Sequence, residues 1–167
     1  MKQCLAVNAW LIGALLVSMP AVARDRGENA ETMIKSASGV LFDRTSSQEQ
    51  IRDALILLLD AALVTLPQTG SAADARSDLE AARGELKSVS IFSEKGYQRL
   101  SLAYRALNSG RSFQLPDRTT VHSIDEAKAH IQKLLTGAVA SLKYENAGQT
   151  SKLLVESVIM VVTPIPK

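Results

Sequence analysis

Apolar residues recur at steps of three and four along most of the chain after residue 28, which is the spacing of one face of an α-helix. This pattern predicts six helical segments, over about 29–43, 46–66, 72–92, 94–108, 124–144 and 149–162. Glycines, prolines and short polar residues separate these segments, as they do in turns. The sequence therefore predicts an all-α fold, an antiparallel bundle of five to six helices.

Two of these segments have patterns of their own. The segment 51–66 is apolar nearly all round, which is typical of a helix in the middle of a bundle. Either Ser46–Glu49 or Ser47–Gln50 can form a capping box at its start. The segment 158–162 is rich in β-branched residues, as strands are, but the sequence has no second strand to pair with it. We therefore predict helix there too.

The first residues have a different pattern. Lys2 is followed by an uncharged and mostly apolar run over 5–19, and then by Pro20 and the small-residue sequence Ala21-Val22-Ala23. This is the order of regions in a secretory signal peptide. The run of about 15 residues is shorter than the roughly 20 that a membrane-spanning helix needs. We predict a cleaved signal peptide at 1–23, a single helical domain at 24–167, and a periplasmic or secreted location.

Charge and cysteine content narrow the function classes. Cleavage after residue 23 would remove one lysine, so that 18 Lys and Arg would remain against 17 Asp and Glu, a net charge of +1. Such a balance gives no electrostatic basis for binding nucleic acid. The single cysteine, Cys4, would be removed too, so the mature domain would be held by core packing alone. Since no phosphate-binding glycine loop or Gly-x-Ser-x-Gly motif occurs, we lean against an enzyme.

The segment 109–122 is the most informative one for function, because it has no helical period and combines apolar with basic side chains. Aromatic residues beside arginines are common where proteins contact partners or ligands. The preceding helix places two tyrosines seven positions apart, on one face. The predicted ligand- or partner-binding residues are Tyr97, Tyr104, Arg111, Phe113, Leu115 and Arg118.

These residues predict a non-enzymatic binding or interaction module of the cell envelope, with an envelope protein or a small ligand as its partner. On this hypothesis Phe113→Ala should abolish capture of the partner and leave stability nearly unchanged. The alternative is that Phe113 and Leu115 plug an open end of the bundle and that the tyrosines belong to the core. An apolar helix that the bundle leaves uncovered would instead favour a homo-oligomer.

The two histidines suggest a second hypothesis. Glu126 and His130 are one helical turn apart, and His122 comes just before the same helix, so the three could hold a divalent metal. The alternative is an ordinary side-chain pair on an exposed helix edge. Non-covalent haem b is also possible, with His130 and either Met33 or Met160 as axial ligands. Both methionines also suit a purely apolar core.

Overall fold

A computed structural model describes residues 21–66, 72–88, 93–108, 124–144 and 146–162. These residues form six α-helices and no strand, which confirms the predicted all-α bundle. The helices are α1 (Ala21–Phe42), α2 (Gln48–Thr65), α3 (Ala72–Ser88), α4 (Glu94–Leu107), α5 (Ile124–Lys143) and α6 (Ala147–Val162). None of the helices in these ranges is both long enough and apolar enough to cross a membrane.

The helices pack as two four-helix units that share α2 and α6. One unit consists of α1, α2, α6 and α5, and the other consists of α2, α3, α4 and α6, with each helix packed against the next around the ring. The contact between α2 and α6 belongs to both units and runs through the centre of the molecule. This explains why the two most apolar helices of the chain are the central ones.

Helices that follow one another in the chain are antiparallel, with one exception. The ion pairs Arg99–Asp78 and Lys95–Glu85 place α3 and α4 in opposite directions. Contacts of α2 with α3 and with α6 show that α2 is antiparallel to both. A short turn between α5 and α6 reverses the chain there. Consequently α4 and α5 run parallel to each other, on either side of α6. A bundle of this topology requires a long connection between the two parallel helices, which accounts for the length of the chain between them.

Local polar contacts determine where α2 begins and ends. The Ser47 hydroxyl accepts the backbone N–H of Gln50, and the Gln50 side chain accepts the N–H of Ser47, so the second of the two candidate capping boxes is present. At the other end, Arg76 of α3 donates to the carbonyl oxygens of Leu63 and Leu66, at 2.6 and 2.8 Å. These carbonyls have no partner within the helix, so the guanidinium takes the place of a cap.

The first helix begins earlier than the apolar pattern predicts. It starts at Ala21 rather than near residue 29, so the charged residues 24–28 are helical. Polar contacts support this extension, since Thr32 bonds to the carbonyl of Glu28 and Glu31 pairs with Lys35 at 2.7 Å. A segment without apolar residues gives no periodic signal, which is why the prediction was wrong. Residues 1–20 of the predicted signal peptide lie outside the described residues, and the rest of it forms the start of α1.

Most buried residues lie on the apolar helical faces that the three- and four-residue spacing predicts. The inner stripes of α3 and α5 are buried at most of the predicted positions, and the segment 158–162 is the buried end of helix α6 rather than a strand. Tyr104 and Leu100 are buried on the inner face of α4, and Tyr97 is packed against the core. The segment from Val89 to Phe92, predicted as the end of α3, lies outside the described residues.

Candidate functional site

One carboxylate on α6 receives side chains from both of the helices that flank it. The Tyr104 hydroxyl of α4 donates to Oε2 of Glu156 at 3.2 Å, and Nε2 of His130 on α5 lies 3.9 Å from Oε1. Three helices meet at this carboxylate because α6 lies between two parallel neighbours. We call the set Tyr104, Asn108, His130, Lys152 and Glu156 the Glu156 site.

Tyr104 is fixed in position and stays protonated. Its side chain is 5% exposed, and the Asn108 amide donates to its backbone carbonyl at 2.7 Å. Burial raises the pKa of the Tyr104 phenol well above its usual value, and the negative charge of Glu156 raises it further. The phenol therefore acts as a hydrogen-bond donor and not as a base or nucleophile.

Lys152 contacts the tyrosine ring instead of the carboxylate. Its ammonium lies 5.8 Å from the centroid of the Tyr104 ring, which is within the range of a cation–π interaction. Lys152 is one helical turn before Glu156 on α6, but no ion pair joins these two among the described residues. The nearest lysine along the helix therefore makes no direct contact that would neutralise Glu156.

Consequently, only one of the two oxygens of the Glu156 carboxylate accepts a hydrogen bond from the described residues. The side chain is 19% exposed, whereas that of His130 is 46% exposed. The distance of 3.9 Å between His130 and Oε1 is too long for a hydrogen bond. The Tyr104 hydroxyl is the one hydrogen-bond donor to this carboxylate in the described part of the chain. The site thus presents a mostly buried anion with unused acceptor capacity, between a phenol and an imidazole.

The predicted binding residues are only partly described by the structure. Tyr97 and Tyr104 lie on the inner side of α4, as the alternative of core tyrosines expects, and Tyr104 also reaches the Glu156 site. The remaining four, Arg111, Phe113, Leu115 and Arg118, lie outside the described residues, so their role stays a prediction. The sequence did contain an overlooked signal for the site, because Lys152 and Glu156 are charged residues one turn apart on an otherwise apolar helix.

The metal and haem hypotheses also remain predictions. His122 lies outside the described residues, and Glu126 and His130 are exposed on α5. Within the described ranges, no group of three or more His, Cys, Asp or Glu side chains is arranged to hold a metal ion. Met160 is buried in the core and Met33 is packed against it, whereas His130 is on the outer side of the bundle.

A second candidate surface is an open groove on the outward side of α2. It has a volume of about 410 Å³ and is lined by Arg52, Asp53, Ile56, Leu57 and Lys87. Arg52 already pairs with Glu49 at 3.2 Å, and the two aliphatic side chains are half-buried. This groove is lined by side chains of α2 and α3 only, whereas the Glu156 site brings together side chains of three helices.

No family model, curated protein or solved structure matches this chain. The function proposed below therefore depends on the contacts of the chain itself.

Proposed function

We propose that the chain is an exported, non-enzymatic binding module of the cell envelope that contacts its ligand or partner through the Glu156 site. The observation that carries this proposal is the convergence of Tyr104, His130 and Glu156 from three different helices on one half-exposed place. Side chains from separate rigid helices are held more precisely than side chains on a loop, which suits recognition.

The chemistry of the three groups favours binding over catalysis. The raised pKa of Tyr104 keeps its hydroxyl protonated, so it orients the carboxylate rather than attacking a substrate. Glu156 keeps an oxygen that no donor in the described residues reaches within hydrogen-bond distance. A site of this kind can fix one polar group of a ligand while the surrounding apolar surface supplies contact area.

The proposed location depends on the N-terminal pattern of Lys2, the apolar run 5–19 and Ala21-Val22-Ala23. N-terminal sequencing of the protein recovered from the periplasm or medium of its own cells tests this part. We expect a chain that starts at Arg24. Recovery of the intact chain in the cytoplasm would contradict export.

Site-specific photo-crosslinking in the native cells tests the binding role. Lys133 is exposed on α5, three residues after His130 and so on the same side of the helix. Lys87 is exposed at the end of α3, beside the α2 groove, and serves as the matched control. We expect p-benzoyl-phenylalanine at position 133 to crosslink a specific partner, and the same group at position 87 not to do so.

Native mass spectrometry of the protein from the same cells completes the test, because a small ligand escapes crosslinking. A bound mass that His130→Ala or Glu156→Gln removes would support the proposal. Equal crosslinking at both positions, or a bare monomer without crosslinks at position 133, would overturn it.

A further inference from the structure

Glu156 is a mostly buried carboxylate that has, among the described residues, a hydrogen-bond donor for only one of its two oxygens. Oε2 accepts the Tyr104 hydroxyl, and His130 Nε2 lies 3.9 Å from Oε1, beyond hydrogen-bond distance. The side chain is 19% exposed, so a ligand can reach it from solvent. Oε1 therefore lacks a hydrogen-bond donor among the described residues.

The neighbouring cations do not complete that environment. Lys152 places its ammonium over the Tyr104 ring. A lysine four residues before a glutamate is also the less favourable order for an ion pair on a helix. The His130 imidazole carries a positive charge only when it is protonated. Within the described residues no lysine or arginine pairs with Oε1, so a donor from a ligand or partner can supply the missing positive charge.

We propose that Oε1 of Glu156 binds a cationic nitrogen donor, an ammonium or a guanidinium, supplied by the ligand or partner of the binding module. This inference rests on the function proposed above. Such a group brings both the positive charge and the N–H that Oε1 lacks, and charge-assisted bonds of this type are the strong ones. The phenol of Tyr104 then holds the other oxygen and fixes the direction in which the carboxylate points.

The gap between Glu156 and His130 fits one nitrogen atom. Two atoms that are 3.9 Å apart can both lie within about 2.9 Å of a single donor placed between them. A donor with several N–H groups can bond to the carboxylate and, at the same time, to the lone pair of a neutral imidazole. A quaternary ammonium lacks N–H groups and cannot make either bond. Selectivity for N–H-bearing cations therefore distinguishes this site from simple attraction to an aromatic ring.

The test is an NMR titration of the whole protein with butylammonium chloride, with tetramethylammonium chloride at equal ionic strength as the control ligand. We expect butylammonium to shift the signals of Tyr104, His130 and Glu156 with a millimolar dissociation constant, and tetramethylammonium to bind at least fivefold more weakly. Glu156→Gln should weaken butylammonium binding at least tenfold. Glu94→Gln, which removes an exposed carboxylate at the start of α4, should have no effect.

A second variant covers the case in which Glu156→Gln does not fold. His130→Ala removes only the exposed imidazole, and we expect severalfold weaker binding from it. The proposal is overturned if both cations shift the same signals equally, or if the folded variants bind butylammonium as tightly as the native chain does.

Measurements on the native cells distinguish two sources of the cation, a free amine and a side chain of a partner protein. A small amine that is seen as a bound mass indicates a free ligand. A protein crosslinked at position 133 and displaced by butylammonium indicates a lysine or arginine side chain of a partner. If crosslinking at position 133 persists while butylammonium fails to bind, the ligand chemistry is wrong and the binding role stands. If butylammonium binds while neither a crosslink nor a bound mass is found, the site exists and the proposed function is wrong.

Discussion

Two of the polar contacts that α6 makes with other helices in the described ranges differ in how many of their donors and acceptors are paired. Toward the start of the helix, the buried Ser151 hydroxyl donates to the carbonyl of Ala62 at 3.1 Å and lies 2.8 Å from the Thr65 hydroxyl. The Thr65 hydroxyl also lies 2.9 Å from this carbonyl, so its one proton goes either to the carbonyl or to the Ser151 oxygen. Toward the other end, Glu156 has one hydrogen bond and one distant imidazole.

Under the proposed function, this difference separates a structural contact from a binding site. The hydroxyl protons of Ser151 and Thr65 both find acceptors within α2 and α6. Glu156 is charged and mostly buried, yet one of its oxygens depends on a group that the described residues do not provide. A contact that the chain completes stabilises the fold, whereas an incomplete one favours an added ligand.

The largest effect is expected from the apolar side of α6 between these two contacts. Leu154 is fully buried in the shared centre of both four-helix units. Leu154→Ala should lower the free energy of unfolding by about 2–5 kcal/mol, because the central pair of helices cannot collapse around the cavity. Urea denaturation followed by circular dichroism measures this loss. A change below about 1 kcal/mol would mean that α6 is not the centre of the core.

A smaller loss of stability is expected from the completed contact. Ser151→Ala removes two hydrogen-bond interactions, but Thr65 can still donate to the Ala62 carbonyl. Since no buried polar group is stranded, the expected loss is about 1 kcal/mol. The same denaturation experiment should show this loss, and butylammonium binding should be unchanged. Weaker binding in Ser151→Ala would break the proposed separation between the two contacts.

Substitution of Glu156 should show the opposite behaviour, a small change in stability and a large change in cation binding. Glu156→Gln keeps an acceptor for the Tyr104 hydroxyl and removes a partly desolvated charge. These two changes offset each other, so the free energy of unfolding should change by only about 0.5 kcal/mol. Binding of cations should nevertheless be lost. If thermal and urea unfolding show a loss larger than that of Ser151→Ala, Glu156 is mainly a structural tie between helices.

The helices could be predicted from the sequence because the patterns that specify them involve residues close together in the chain. The inner stripes of α3 and α5 repeat every three or four residues, and the Ser47–Gln50 capping box involves near neighbours. The start of α1 was missed because charged residues form a helix there without an apolar stripe.

The Glu156 site could be predicted only in part, because its partners are distant in sequence. Tyr104 was found on a helical face, but the glutamate that it contacts is 52 residues further along the chain. Their meeting depends on α4 and α5 being parallel on either side of α6, and no periodic pattern specifies that arrangement. The pairing of His130 with Glu126 was a natural expectation from helical spacing, whereas the structure brings His130 toward a different helix.

Asp43, in the turn between α1 and α2, gives a carboxylate with the opposite properties to Glu156. It is fully exposed, yet its Oδ1 accepts both the backbone N–H of Thr45 at 2.9 Å and the Thr45 hydroxyl at 2.7 Å. These bonds, the backbone one first, lower the pKa of Asp43 below its usual value of 3.8. Both donors to Asp43 come from its own turn, and its exposed side chain is open to water, so it should tie the turn together and bind no cation.

The smallest effect on stability is therefore expected from Asp43→Asn, and it should depend on pH. A lowered pKa in the folded state means that the charged carboxylate stabilises the fold above its ordinary pKa of 3.8. This advantage over the asparagine variant should be fully present at pH 6 and should disappear as the pH falls through the lowered pKa. Urea denaturation of both chains between pH 2 and 6 measures the difference. A difference that stays constant over this range would show that the charge of Asp43 contributes nothing, and that donor count alone does not distinguish the two carboxylates.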